Sequence, residues 1–94
     1  MDPETRAYLR ELRALRRARR QTEKRRAEAA TVVAAFNAAH PVGTPVRFWT
    51  WTREGQGRPG QIRAPAEVAA CGTPVAWVTG HAAYIALTHV EALT

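Results

Sequence analysis

Three histidines and one cysteine are the side chains of this 94-residue chain best suited to metal binding, proton transfer or nucleophilic attack: His40, Cys71, His81 and His89. Each of those chemistries needs partners at a set spacing, such as paired ligands for zinc or a base beside a nucleophile. His81 and His89 stand eight residues apart across an expected strand, and Cys71 has no neighbouring partner. The acids beyond residue 39 are Glu54, Glu67 and Glu91. No His-Glu-x-x-His or Gly-x-Ser-x-Gly sequence is present, and the glycine-rich run 53–60 lacks the spacing and the Lys-Ser/Thr ending of a phosphate loop. The sequence therefore predicts a binding protein without a catalytic centre, a metal or a cofactor.

The chemistry that the sequence does concentrate is that of the guanidinium group. Arg13, Arg16, Arg17, Arg19, Arg20, Lys24, Arg25 and Arg26 fall within fourteen residues. Such a block can form a solvated helix face, pair with nucleic-acid phosphates, or meet an acidic protein or a membrane surface. Glu23 is spaced to pair with Arg19 and Arg26, and Glu28 with Lys24 and Arg25, at about 0.2–0.5 kcal/mol each. Beside the block lies an apolar patch, Tyr8, Leu9, Leu12 and Leu15, expected to bind a partner or a second copy of the chain. Arg47, Trp49 and Trp51 alternate along one strand, where Trp49 and Trp51 can form a surface aromatic pair that grips bases or peptide. In the competing reading, one of them covers the end of the helix.

These residues need a long helix to carry them. Asp2-Pro3-Glu4 supplies a cap, a first-turn proline and an acid at the positive end of the dipole. No glycine or proline interrupts Thr5 to Ala39, and Ala, Arg, Leu and Glu dominate. Asn37 and His40-Pro41 are expected to end the helix. About 36 residues at ~1.5 Å each make a rod of roughly 54 Å. Thr5, Tyr8, Leu12, Leu15, Arg19, Thr22, Arg26, Ala29, Val33 and Phe36 alternate steps of three and four, a single seam along that rod. Its end, with Ala29, Val32, Val33 and Phe36, is expected to pack on the β-rich remainder of the chain.

From residue 40 the pattern turns to strands. Val46–Thr52, Gln61–Arg63, Pro74–Thr79 and Ala83–Thr88 are β-rich, separated by the glycine-rich loop and by turns at Cys71-Gly72 and Gly80-His81. Ala64–Ala70 and His89–Glu91 are each expected to hold a helical turn. Alternation assigns Val46, Phe48, Ile62, Val75, Trp77, Ile85, Leu87 and Val90 to the core, with Phe36. The fold class is α+β: a long basic amphipathic helix, 1–39, and a small β domain, 40–94. The latter is expected as an SH3-like β-barrel or a curled antiparallel sheet of four to five short strands.

The net charge is +6. Residues 1–38 hold ten Lys/Arg and five Asp/Glu, a balance of +5, while residues 39–94 hold four and three, a balance of +1. Arg and Ala are also the residues that high-GC coding favours. No apolar run approaches the ~18 residues of a membrane span, and the expected location is cytoplasmic.

The segment His40-Pro41-Val42-Gly43-Thr44-Pro45-Val46-Arg47-Phe48-Trp49, with Ile85-Ala86-Leu87-Thr88-His89-Val90, resembles small proteins encoded by actinobacteria, their phages and integrated elements. The resemblance covers residues 40–91 and implies a bacterial or phage cytosolic setting. It carries over no functional residues. The strand, glycine-rich loop and second strand also resemble the KOW motif over about 20 residues. The leading expectation is a non-enzymatic module that engages nucleic acid, or a complex bound to it, through the helix. The alternative is an assembly or regulatory adaptor that uses the apolar tip on an acidic protein or on a second copy.

Overall fold

Asp2 caps the long helix through its side chain: Oδ1 accepts a hydrogen bond of 2.7 Å from the Thr5 amide. In the computed structural model, which describes residues 1–93, helix α1 runs from Pro3 to Ala39. His40 caps its C-terminus, with the His40 amide donating to the Phe36 carbonyl at 2.8 Å. Asn37, expected to help end the helix, lies inside it. Its side chain instead reaches a neighbouring strand.

Five strands come after the helix: β1 (Pro45–Phe48), β2 (Arg58–Val68), β3 (Pro74–Val78), β4 (Ile85–Ala86) and β5 (Val90–Ala92). A 3-10 turn, Leu87–His89, separates the last two. All pairings are antiparallel and the order is β4-β3-β2-β1-β5. The first four residues of β2 pair with β1 and the rest with β3. The register between β2 and β3 slips between Ile62 and Ala64 and again between Ala64 and Glu67. Such bulges bend a strand, so β2 serves two halves of a curled sheet. Strands β4 and β5 remain its edges. The curled sheet, rather than the closed barrel, is the form the chain takes.

Three local expectations are corrected. The first strand stops at Phe48 rather than Thr52, because the glycine-rich loop folds back over Trp49. Residues Ala64–Val68 are strand, not a helical turn. Pro65 disfavours helix at Ala64, and ladder bonds to β3 outweigh alanine's weak local preference. The closing helical turn comes two residues early, at Leu87–His89, and Val90–Ala92 pair with β1.

The main core gathers Val46, Phe48, Ile62, Ala76, Val78, Ile85 and Val90, with Phe36 and Leu87 packed against it. Trp77, expected there, is not a member. Ile62 lies opposite Val78, and cross-strand partners share a face. The core side of β3 is therefore that of Ala76 and Val78, and Trp77 points the other way. It meets Tyr84 edge-on at 5.8 Å and carries the Arg63 guanidinium 5.0 Å from its ring. Ala29, Ala66, Ala69 and Val75 are buried outside the main cluster, where α1 crosses β2 and β3.

Candidate nucleic-acid interface

Helix α1 changes role along its length. Towards its end, Ala29 is buried and Val33 and Phe36 are half-buried, whereas Val32, expected beside them, is half-exposed. Arg26 Nη2 donates to the Ala70 carbonyl at 2.6 Å, and Asn37 bonds Ala66. Before Thr22, among the described residues, every side-chain hydrogen bond of α1 stays within the helix. The whole molecule measures 63 × 26 × 19 Å, so the first half of the helix projects beyond the sheet. Tyr8 and Leu15 are 60% and 66% exposed there, and Leu9 and Leu12 are half-buried.

The basic block separates into two sets. Arg26 is turned to the sheet, and Thr22, Arg25 and Arg26 line a small recess with Cys71 and Gly72. Arg19 lies on the seam, with its Nε 4.0 Å from Glu23. By contrast Arg13, Arg17, Arg20 and Lys24 share one side of the helix, and Arg6 and Arg10 continue it. The steps from Arg6 to Lys24 are four, three, four, three and four. At about 100° per residue this row lies roughly opposite the seam. Its continuation at Glu28, Thr31, Ala35 and Ala38 is exposed, in keeping with a face turned away from the sheet. The row is about 27 Å long and holds no acidic residue. Among the described residues, Arg6, Arg10, Arg13, Arg17 and Lys24 make no side-chain hydrogen bond or ion pair, and Arg20 reaches only the Arg16 carbonyl at 3.5 Å. Arg6 and Arg10 are missed when the block is read as a run of charge. The three–four spacing is the signal that finds them.

The arginines of the sheet are occupied differently. Arg47 donates to the Gln56 carbonyl at 3.2 Å. Arg53 donates to the Thr88 carbonyl at 2.9 Å and to the Glu91 carboxylate at 2.8 Å, and stacks 4.4 Å from the Trp49 ring. Arg63 Nε donates to the Val78 carbonyl at 3.0 Å and Nη2 to Ala82 at 2.9 Å, which fastens the β3–β4 turn. These guanidiniums hold loops in place.

Trp49 and Trp51 do not form a surface pair. Trp49 is buried, and its indole N–H donates to the Glu54 and Gly55 carbonyls at 3.1 and 3.3 Å. It is therefore covered by the glycine-rich loop. Trp51 is 84% exposed and borders an open cleft of about 370 Å³ with Tyr84, His81 and His89. Cys71 lies elsewhere, at the β2–β3 turn. Its thiol pKa is lowered by hydrogen bonds from Thr73, with a smaller contribution from Arg26. His40 packs against Phe36 with ring centroids 5.0 Å apart. Among the described residues, no three His, Cys, Asp or Glu side chains gather as a metal site, and no helix is long and apolar enough to cross a membrane.

Comparison of the chain with protein-family models, with curated proteins and with solved structures found no match.

Proposed function

We propose that this protein is a non-enzymatic module that binds nucleic-acid duplexes along the outer face of α1. The observation that carries this reading is the row of Arg6, Arg10, Arg13, Arg17, Arg20 and Lys24, six cations on one helix face without an intervening acid. An α-helix fits the ~12 Å major groove of B-DNA, and cations about 5–6 Å apart can each meet a phosphate. Contacts of this kind to the phosphate backbone fix position and supply affinity. The sheet acts as the base that holds the helix. A bacterial or phage cytosolic setting belongs to the same proposal.

The test is anisotropy of a labelled duplex titrated with the full chain across a range of salt. Six phosphate contacts give a slope of log K against log salt of roughly −5. Substituting Arg13→Glu, Arg17→Glu and Arg20→Glu together abolishes binding and leaves the thermal melt unchanged. Undetectable binding at low salt overturns the reading. A second reading, an assembly adaptor, is favoured by the exposure of Tyr8 and Leu15, and it predicts a stable partner at the helix tip.

A further inference from the structure

We infer that the projecting half of α1 pairs antiparallel with the same segment of a second copy of this chain. The seam from Thr5 to Phe36 is one continuous helix face. Its later positions, Arg26, Ala29, Val33 and Phe36, are the ones that meet the sheet. Its earlier positions, Tyr8, Leu12 and Leu15, continue the same face past the sheet's end, where Tyr8 and Leu15 are mostly exposed. A second helix laid on them extends an interface that already exists.

Charge sets the direction of the pairing. Residues 1–11 hold Asp2, Glu4 and Glu11 against Arg6 and Arg10, a balance of −1. Residues 12–26 hold eight Lys/Arg against Glu23, a balance of +7. A parallel pair sets Arg19 against Arg19 of the other copy, at the centre of the seam. An antiparallel pair offsets these. With Leu12 opposite Leu15, Tyr8 falls opposite Arg19 and Thr5 opposite Thr22, each contact occurring twice by two-fold symmetry. An arginine on a tyrosine ring is a favourable pair. Asp2 then comes level with Arg25 of the other chain and Glu11 with Arg16, against one like-charged meeting, of Glu4 with Glu23. Thr5–Thr22 is thus used by the second helix and Arg26–Phe36 by the chain's own sheet, which leaves no seam position over. The row of six cations stays on the outside of both helices, so the pairing is independent of the proposed nucleic-acid reading.

The experiment is solution mass by sedimentation equilibrium on the full chain at tens of micromolar, without nucleic acid, at low and at high salt. The expected result at high salt is twice the chain mass of 10.4 kDa. Dissociation is expected at low salt, because the outer cations repel each other. Substituting Leu12→Asp with Leu15→Asp restores the monomer at every salt concentration while near-ultraviolet circular dichroism of the sheet is retained. Orientation is read by oxidative cross-linking in a Cys71→Ser background. Thr5→Cys mixed with Thr22→Cys forms a mixed disulfide, and Thr5→Cys alone does not cross-link. A monomeric wild type at all salts, a dimer that survives the aspartate pair, or rapid cross-linking of Thr5→Cys alone each overturns the inference. Duplex binding by a protein that stays monomeric would overturn it and leave the nucleic-acid reading intact.

Discussion

The side-chain amide of Asn37 treats Ala66 as a neighbouring strand would. Its Nδ2 donates to the Ala66 carbonyl at 3.0 Å, and its Oδ1 accepts from the Ala66 amide at 2.8 Å. Ala66 lies where β2 slips register against β3, so its peptide groups lack a regular ladder partner there. One residue of α1 thus satisfies both groups of a buried strand position and fixes how the helix sits on the sheet.

Replacing Asn37→Ala strands a donor and an acceptor in a part-buried site. Each orphaned group costs about 1–3 kcal/mol. Urea unfolding followed by tryptophan fluorescence should show a midpoint shift of that order, without a change in slope. An unshifted midpoint would mean that water replaces the amide.

Gly57 and Gly55 separate two roles of the glycine-rich loop. Both have left-handed backbones, with φ of +67° and +73°. A Cβ at Gly57 would lie 2.7 Å from the Trp49 ring, whereas at Gly55 it meets nothing within 4 Å. Gly55→Ala is expected to cost about 1 kcal/mol, the penalty of its backbone conformation alone. Gly57→Ala should cost more and shift Trp49 emission to the red, as the loop lifts from the indole. Equal losses for the two variants would show that the loop does not press on Trp49.

Arg17 and Arg26 differ in what they touch, although both belong to the basic block. Arg17→Ala should weaken duplex binding and reduce the salt slope by about 0.9, with an unchanged melting temperature. Arg26→Ala should lower the melting temperature, because it releases the Ala70 carbonyl, and should leave the salt slope as it was. The reverse pattern would move the interface to the seam.

The cap at Asp2 makes the helix tip sensitive to acid. The Thr5 amide bond holds the Asp2 carboxyl below its usual range. A depressed folded pKa contributes stability that is present above the unfolded value of about 3.9 and lost as pH falls through the folded one. Amide chemical shifts of Thr5 and its neighbours should therefore move towards unfolded values below about pH 4, and Asp2→Asn, which still caps, should remove that dependence. Persistence of the transition in Asp2→Asn would assign it to another carboxylate.

The helix and the number of strands are legible because their signals are local. Asp2-Pro3 starts α1, His40-Pro41 stops it, and no breaker stands between. The full length of β2 is not, since Ala64-Pro65-Ala66 has little strand preference and is held by β3 and Asn37 from afar. The inward side of β3 follows from the register that places Val78 opposite Ile62, which alternation within β3 alone cannot supply. Of the basic residues, composition locates the block and three–four spacing sets Arg26 on the seam, but its bond to the distant Ala70 carbonyl is visible only in the fold. The burial of Trp49 is hidden for a related reason: the loop that covers it is recognisable as flexible, not as a lid.

The anchoring of α1 over its last third alone has a kinetic meaning. Short helices in water are limited by the first turn, and extension from an existing turn is easy. The segment clasped by Arg26, Ala29 and Asn37 supplies that first turn for the whole rod. Amide protection should then decline from Phe36 towards Tyr8, with exchange at the tip governed by fraying rather than global unfolding. The outer turns would form and dissolve many times within the lifetime of the folded sheet, and whatever binds them selects the wound state from that equilibrium.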